Sequence, residues 1–140
     1  MTVIFDSSAW IEYFSGSDLG LQVKNYIDSK QIIYTPVIDL HEIKAKYQRE
    51  GHDWETRINF IIGRSLLVDI DAEIALLAAD MKHQYHLHSM DALIYACARK
   101  MDSPVLTKDN HFRDLPKVIM LEEKDNDEVQ EDEENNNEED

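Results

Sequence analysis

Five short β-prone runs, separated by segments with helical apolar spacing, constrain this chain more than any other feature. The runs are Val3–Phe5, Gln31–Tyr34, Ser65–Ile70, Pro104–Thr107 and Val118–Leu121. Between the first four lie segments in which apolar residues recur every three or four positions: Trp10, Ile11 and Phe14; Leu21, Val23, Tyr26 and Ile27; Val37, Leu40, Ile43 and Tyr47; Trp54, Ile58 and Ile61; Ile74, Leu77, Ala78 and Met81. A sixth segment, Ala92 to Cys97, is almost wholly apolar. Val3-Ile4-Phe5 is a continuous apolar run, as expected of a strand covered on both faces. Strands alternating with helices predict an α/β layer fold: a central, mostly parallel sheet of four to five strands, helices on both faces and right-handed crossovers.

Local signals set the expected boundaries. Ser15-Gly16-Ser17-Asp18 reads as a turn. Thr35-Pro36 is expected to open the third helix, since proline is tolerated in a first turn, and Gly51 to end it. Asp53 is expected to cap a helix over residues 54–62, Asp71 a helix from Ala72 to Tyr85, and Ser89 a helix from Met90 to Lys100.

A chain of 140 residues fits one domain. The net charge of −15 speaks against a polyanionic partner only if it is spread evenly, and it is not. Residues 122–140 hold 12 acids and one lysine, which leaves 17 acids and 13 bases in residues 1–121 and a net charge of −4 there. A nucleic-acid partner is therefore not excluded by charge. Residues 122–140 carry one apolar residue, Val129, and are expected to form a disordered acidic tail after a domain spanning 1–121. No run approaches the ~20 apolar residues of a membrane helix, and Asp6 interrupts any signal-peptide core. The expectation is a cytoplasmic protein with no membrane partner. Cys97, the single cysteine, lies among apolar residues and is expected to pack as a small hydrophobe.

Four acids share one predicted rim. Asp6 follows the first strand and Asp109 the fourth, so both fall at the carboxyl edge of a parallel sheet, where open α/β folds bind ligands. Asp91 lies in the first turn of the helix leading to the fourth strand, and Glu42, two turns into its helix, leans back toward the same edge. Helix capping alone accounts for Asp6, Asp91 and Asp109, and solvation for Glu42, so spacing leaves both readings open. If the four converge, their ordinary pKa values of about 4 leave them ionised and mutually repelling at neutral pH, and a cation is required. All-oxygen ligands suit Mg²⁺ or Mn²⁺ and metal-assisted hydrolysis.

Asp6-Ser7-Ser8-Ala9-Trp10-Ile11-Glu12-Tyr13-Phe14, Thr35-Pro36 through His41-Glu42, Asp91-Ala92-Leu93-Ile94-Tyr95-Ala96 and Leu106-Thr107-Lys108-Asp109-Asn110-His111-Phe112 resemble, in order, the four signature stretches of PIN-domain ribonucleases. They are most similar to those of VapC-like toxins of type II toxin-antitoxin pairs, and the resemblance covers residues 1–121. It implies a PIN-like three-layer sandwich and an endoribonuclease dependent on Mg²⁺ or Mn²⁺. It also implies that Asp6, Glu42, Asp91 and Asp109 bind the metal and carry catalysis. Ser8 and Thr107 match hydroxyl positions near such a site and are expected to bind substrate, together with Lys108, beside Asp109, as the candidate phosphate contact. RNA as substrate, a cognate antitoxin and a homodimer are the implied partners. The acidic tail departs from the compact family members. A polyanionic tail is expected to compete with RNA for the basic residues of the body, unless it serves only solubility.

The remaining signals are weaker. His83, His86 and His88 have no accompanying cysteine pair and fall at a helix end, where histidine suits the dipole better than it suggests zinc. Lys44, Lys46, Arg49, Arg64, Lys82, Arg99 and Lys100 are further phosphate candidates, most of them expected to be ordinary surface charges. Ser7-Ser8 after Asp6 does not match the adjacent acids of a receiver domain or the second aspartate of a haloacid-dehalogenase-type phosphatase. A stand-alone RNA-processing nuclease and a non-catalytic interaction protein acting through its tail remain alternatives.

Overall fold

A computed structural model of the chain describes residues 1–123. Among them the elements are β1 (Thr2–Phe5), α1 (Ser7–Ser15), α2 (Asp18–Ile27), β2 (Ile32–Pro36), α3 (Val37–Glu50), α4 (Glu55–Arg64), β3 (Leu66–Val68), α5 (Ala72–Tyr85), α6 (Ser89–Lys100), β4 (Val105–Thr107), a 3₁₀ turn (Asn110–Phe112) and β5 (Val118–Met120). The segment expected to be a disordered tail lies, from residue 124 on, outside the described residues. No helix among those described is long and apolar enough to cross a membrane.

The five strands form one sheet in the order β3-β2-β1-β4-β5, and every neighbouring pair is parallel. The α/β fold expected from the alternation is therefore present, with all five strands in it. β1 is the central strand, and its Val3, Ile4 and Phe5 are buried. Val3 and Phe5 point into one layer with Trp10, Val23, Ile43 and Ile61, while Ile4 points into the other with Ile74, Ile94, Ala96 and Phe112. The period of two along a strand makes this split. Helices α1 to α4 cover the first face and α5 and α6 the second. The chain steps from β1 toward β3 with helices on one face and returns to β4 with helices on the other, which keeps the crossovers of one hand. That reversal beside β1 makes the β1/β4 edge the topological switch point.

Several boundaries differ from expectation. Thr35 and Pro36 end β2 rather than open α3: Pro36 is extended, with ψ 137°, and caps the helix that begins at Val37. The Thr35 hydroxyl accepts from Trp10 Nε1 at 3.2 Å and joins Ser65 Oγ at 2.8 Å, which ties β2 to α1 and to the end of α4. β3 is shorter than the run Ser65–Ile70. Trp54 takes the cap position of α4, and Asp53 Oδ1 accepts from Thr56 N–H at 3.3 Å instead. His88 takes the cap position expected of Ser89, whose hydroxyl accepts from Lys82 Nζ at 2.9 Å. Asp71 caps α5 as expected, accepting from Ile74 N–H at 2.9 Å. Cys97 is buried among apolar residues, and burial pushes its thiol up to about 12.

Arg64 is not free for phosphate. Its guanidinium donates to the carbonyls of Tyr26, Ile27, Ser29 and Gln31 and so satisfies the end of α2 and the loop behind it. Lys46, Lys100 and Lys108 are paired with acids, and Lys44 lies 4.0 Å from the centre of the Trp54 ring.

Helices α1 and α2 meet closely at Gly20, where an added Cβ would stand 2.2 Å from the Glu12 carbonyl oxygen. Gly20→Ala is expected to destabilise the protein by ~2–3 kcal/mol in urea unfolding, because the obstacle is backbone. Gly63→Ala, on α4 with nothing within 4 Å of its Cβ position, is expected to be neutral or to stabilise by up to ~1 kcal/mol.

Candidate metal centre

Asp6 is the first residue beyond β1 and the cap of α1, 4% exposed. Its Oδ1 accepts from Ser7 N–H at 2.7 Å. Its Oδ2 accepts from two hydroxyls, Ser8 Oγ at 2.9 Å and Thr107 Oγ1 at 2.7 Å. Each hydroxyl in turn accepts a backbone N–H from the loop after β4: Lys108 N to Ser8 Oγ at 3.0 Å and Asp109 N to Thr107 Oγ1 at 2.9 Å. Ser8 and Thr107 thus donate to Asp6 and accept from the Asp109 loop, fixing the two rim acids relative to one another. Their hydroxyl protons are committed to the protein, whereas sequence reasoning had placed both residues at the substrate.

Asp109 caps the 3₁₀ turn, its Oδ1 accepting from His111 N–H at 2.9 Å. Helix α6 has to run from the carboxyl rim down to the amino end of β4. Lys100 at its far end pairs with Asp71, the cap of α5, at 2.8 Å. Asp91, in its first turn, is thereby delivered to the rim beside Asp109. His111 Nδ1 stands 3.0 Å from Asp109 Oδ1 and 3.5 Å from Asp91 Oδ2. One ligand atom each from Asp91, Asp109 and His111 lie within 4.8 Å of one another. No other such group of metal-capable side chains is found among the described residues, and His83, His86 and His88 do not form one. His86 is instead the left-handed residue ending α5, and the His88 ring stands 5.0 Å from that of His111.

Asp6 and Glu42 stand outside that three-residue group, and the charges of the acids act on them from a distance. Burial pushes Glu42 up to about 7, with the charges of Asp6, Asp91 and Asp109 adding to it. Burial likewise pushes Asp91 up to about 6, helped by Asp109 and Asp6 and opposed by His111 and His88. Asp6 is raised by burial and by Asp109, against the pull of Thr107, Ser8 and Ser7. Glu42 Oε1 is buried without a hydrogen-bond partner. The donor set of carboxylates, an orphaned oxygen and one imidazole fits a divalent cation, and the N-termini of α1, α3 and α6 gathered there favour negative charge.

Sequence reasoning missed three residues here. His111 joins the cluster although it is 58% exposed and stands just past Asp109 in the chain. Glu12, on α1, pairs with Lys108 and accepts from Ser17 Oγ at 2.5 Å. Burial opposes the Glu12 carboxylate, but these partners hold it below the usual range. The Lys108 ammonium, expected at phosphate, is directed to Glu12. Asp39, one turn before Glu42, is fully buried and held well above the usual carboxylate range by burial, then by Asp6 and Glu42. An acid at i−3 on an apolar helix face was the available signal.

Comparison with known proteins agrees with this fold. The family model described as PIN domain matches residues 3–118, and the chain belongs to that family. In sequence, no curated protein matches the chain. Among solved structures, a toxin-antitoxin complex from Klebsiella pneumoniae superposes with a TM-score of 0.73 at 22% identity, over 86% of this chain and 98% of that one. VapC20 of Mycobacterium tuberculosis, a toxin cleaving the sarcin-ricin loop, gives 0.69 at 15% identity, over 86% and 99%. VapBC2 of Rickettsia felis, bound to a DNA fragment from its promoter, gives 0.67 at 14%, over 86% and 97%. At these identities the likeness is one of fold.

A carboxyl whose value is raised on folding stabilises the folded state at low pH, and that contribution is lost as pH rises through the folded value. For Asp91 and Glu42 the window runs from the ordinary 3.8 and 4.5 to about 6 and about 7. In EDTA, the melting temperature is expected to fall between pH 5 and pH 8. Glu42→Gln is expected to raise it by several degrees at pH 8 and to leave it nearly unchanged at pH 4. A Glu42→Gln protein no more stable than wild type at pH 8 would contradict the coupling.

Proposed function

We propose that this PIN-domain protein is a metal-dependent endoribonuclease and the toxin of a toxin-antitoxin pair, acting in the cytoplasm. One observation carries the nuclease reading: Asp91, Asp109 and His111 bring ligand atoms within 4.8 Å of one another at the sheet's switch point, beside Asp6, with Glu42 feeling the charges of Asp6, Asp91 and Asp109. Asp6, Asp91 and Asp109, with Glu42 behind them, would hold Mg²⁺ or Mn²⁺. Such an ion, when bound, lowers the pKa of water and offsets charge developing on a phosphodiester. The protein's own part is orientation. The Ser8 and Thr107 hydroxyls keep the Asp6 carboxylate pointing at the rim, and the short loop after β4 keeps Asp109 beside Asp91.

Among the described residues, Lys108 beside Asp109 is paired with Glu12, which supports a substrate held chiefly through its reacting phosphate rather than along a basic groove. Lys108 becomes a phosphate contact only by leaving Glu12. The toxin reading and its antitoxin are supported by the fold shared with VapC toxins and by the toxin-antitoxin complexes in which such folds are seen; a homodimer belongs to the same reading. Retention of all four acids favours a working nuclease over a scaffold.

Cleavage of a structured RNA with Mg²⁺ or Mn²⁺ tests the activity. Asp6→Asn and Asp91→Asn are each expected to lower the rate at least ~100-fold, since each removes a charge that holds the cation. Cleavage that persists in EDTA, or is untouched by both substitutions, would overturn it.

A further inference from the structure

A cavity of about 390 Å³ lies between the end of α5, the second half of α6 and the segment leading into β5, and the residues lining it have no part in the reading above. That volume is within the range of small-ligand pockets. Tyr95 and Ala98, both buried, close its inner side. Tyr85 forms another wall, its ring edge-on to that of Tyr95 with centroids 5.6 Å apart. The Tyr95 hydroxyl donates to the Pro116 carbonyl at 2.6 Å, which fixes the segment before β5 against α6.

Three charged residues, Arg99, Asp102 and Lys117, complete the lining. Lys117 Nζ pairs with Asp102 Oδ1 at 2.6 Å, so the second carboxylate oxygen lies outside that pair. Among the described residues Arg99 forms no ion pair. Its charge counters the rise that burial causes in the proton affinity of Tyr95, so the guanidinium is within electrostatic reach of the ring. The backbone here takes a form that side chains resist. Asp102 and Lys117 have φ of 47° and 56°, and His86, next to Tyr85, has 56°. Residues held in such conformations gather at ligand clamps.

Aromatic walls, a guanidinium without an acid and a carboxylate oxygen with room for a donor suit a planar ring that carries both acceptors and donors. Among the four RNA bases, guanine alone offers two adjacent acceptors, O6 and N7, and two adjacent donors on N1 and N2. The fork of an arginine matches the first pair and a carboxylate the second. The cavity also lies close to the metal centre. Tyr95 follows Asp91 by one turn of α6, about 6 Å along the helix, and Arg99 by about 12 Å. Phe112, the neighbour of His111, has its ring 6.4 Å from that of Tyr95.

We propose that this cavity holds a guanine base of the RNA substrate, close to the phosphodiester that is cut, packed against Tyr85 and Tyr95 and read by Arg99 and Asp102. This rests on the nuclease reading and adds to it a choice of cutting site. The reacting phosphate positions the RNA, and the base specifies where it is cut.

Two measurements separate the cavity from the nuclease reading. Calorimetry of the full chain in EDTA, with guanosine monophosphate and separately with uridine monophosphate, reads the cavity alone. Wild type is expected to bind the guanine nucleotide at least ~10-fold more tightly. Arg99→Ala and Arg99→Lys are both expected to abolish that difference, since lysine keeps the charge and lacks the planar fork. Lys30→Ala, which removes a charge from the loop between α2 and β2, is expected to keep it. Mapping the cuts in a structured RNA with Mn²⁺ then reads the substrate. Wild type is expected to cut at a fixed distance from a guanosine, and Arg99→Ala to cut without that preference. Equal binding of the two nucleotides, or a cutting preference that survives Arg99→Ala, would overturn the base site and leave the nuclease reading standing. A guanine preference in binding with none at the cut would overturn RNA as the occupant in favour of a free nucleotide. No cleavage by wild type, with guanine still preferred in binding, would overturn the nuclease reading and not the cavity's choice of base.

Discussion

Mutual repulsion among carboxylates crowded at the end of β1 is the constraint on which the rest of the structure turns. Asp6 and Asp39 are almost fully buried, Glu42 and Asp91 are held near neutrality in their proton affinity, and no lysine or arginine is paired with any of them among the described residues. A structure built for stability alone would place apolar side chains there. Retaining the acids costs folding energy that the two apolar layers and the central strand must offset, and the arrangement makes physical sense once a cation is part of it.

The fold prepares this cluster with few devices. The reversal in strand order sets β1 beside β4, so the acids that follow them share an edge. Two hydroxyls then lock that edge, donating to Asp6 and accepting from the backbone N–H groups of Lys108 and Asp109. Helices α3 and α6 bring Glu42 and Asp91 in from opposite faces of the sheet. Basic side chains are used elsewhere: Arg64 closes a loop through four carbonyls, and Lys108 is held by Glu12. The cluster is thereby left negative, which favours a small cation over an internal ion pair.

Much of the architecture was legible because the period changes cleanly along the chain. Val3 to Phe5 could only be a doubly covered strand, and the stripe Ile74, Ala78, Met81 could only be a helix face; both are buried as read. The misread boundaries share a cause, since local chemistry was overruled by tertiary partners. Pro36 suits a first helical turn, but the hydroxyl of Thr35 is wanted by Trp10 and Ser65 and keeps the strand extended through it. Ser89 is a good cap by type, yet Lys82 has its oxygen. At the site, spacing identified acids that follow strands or open helices, because those positions are set by topology. It did not identify Asp39, whose proximity to Asp6 depends on how α3 packs, or His111, which reaches back over the turn that Asp109 caps.

The most direct test of the account is anomalous diffraction from crystals of the protein soaked in Mn²⁺. The account predicts density at the carboxyl ends of β1 and β4, within coordination distance of Asp6, Asp91 and Asp109. Mn²⁺ found only at surface acids such as Asp71 and Glu73, with the cleft beside Asp6 empty at saturating metal, would contradict it.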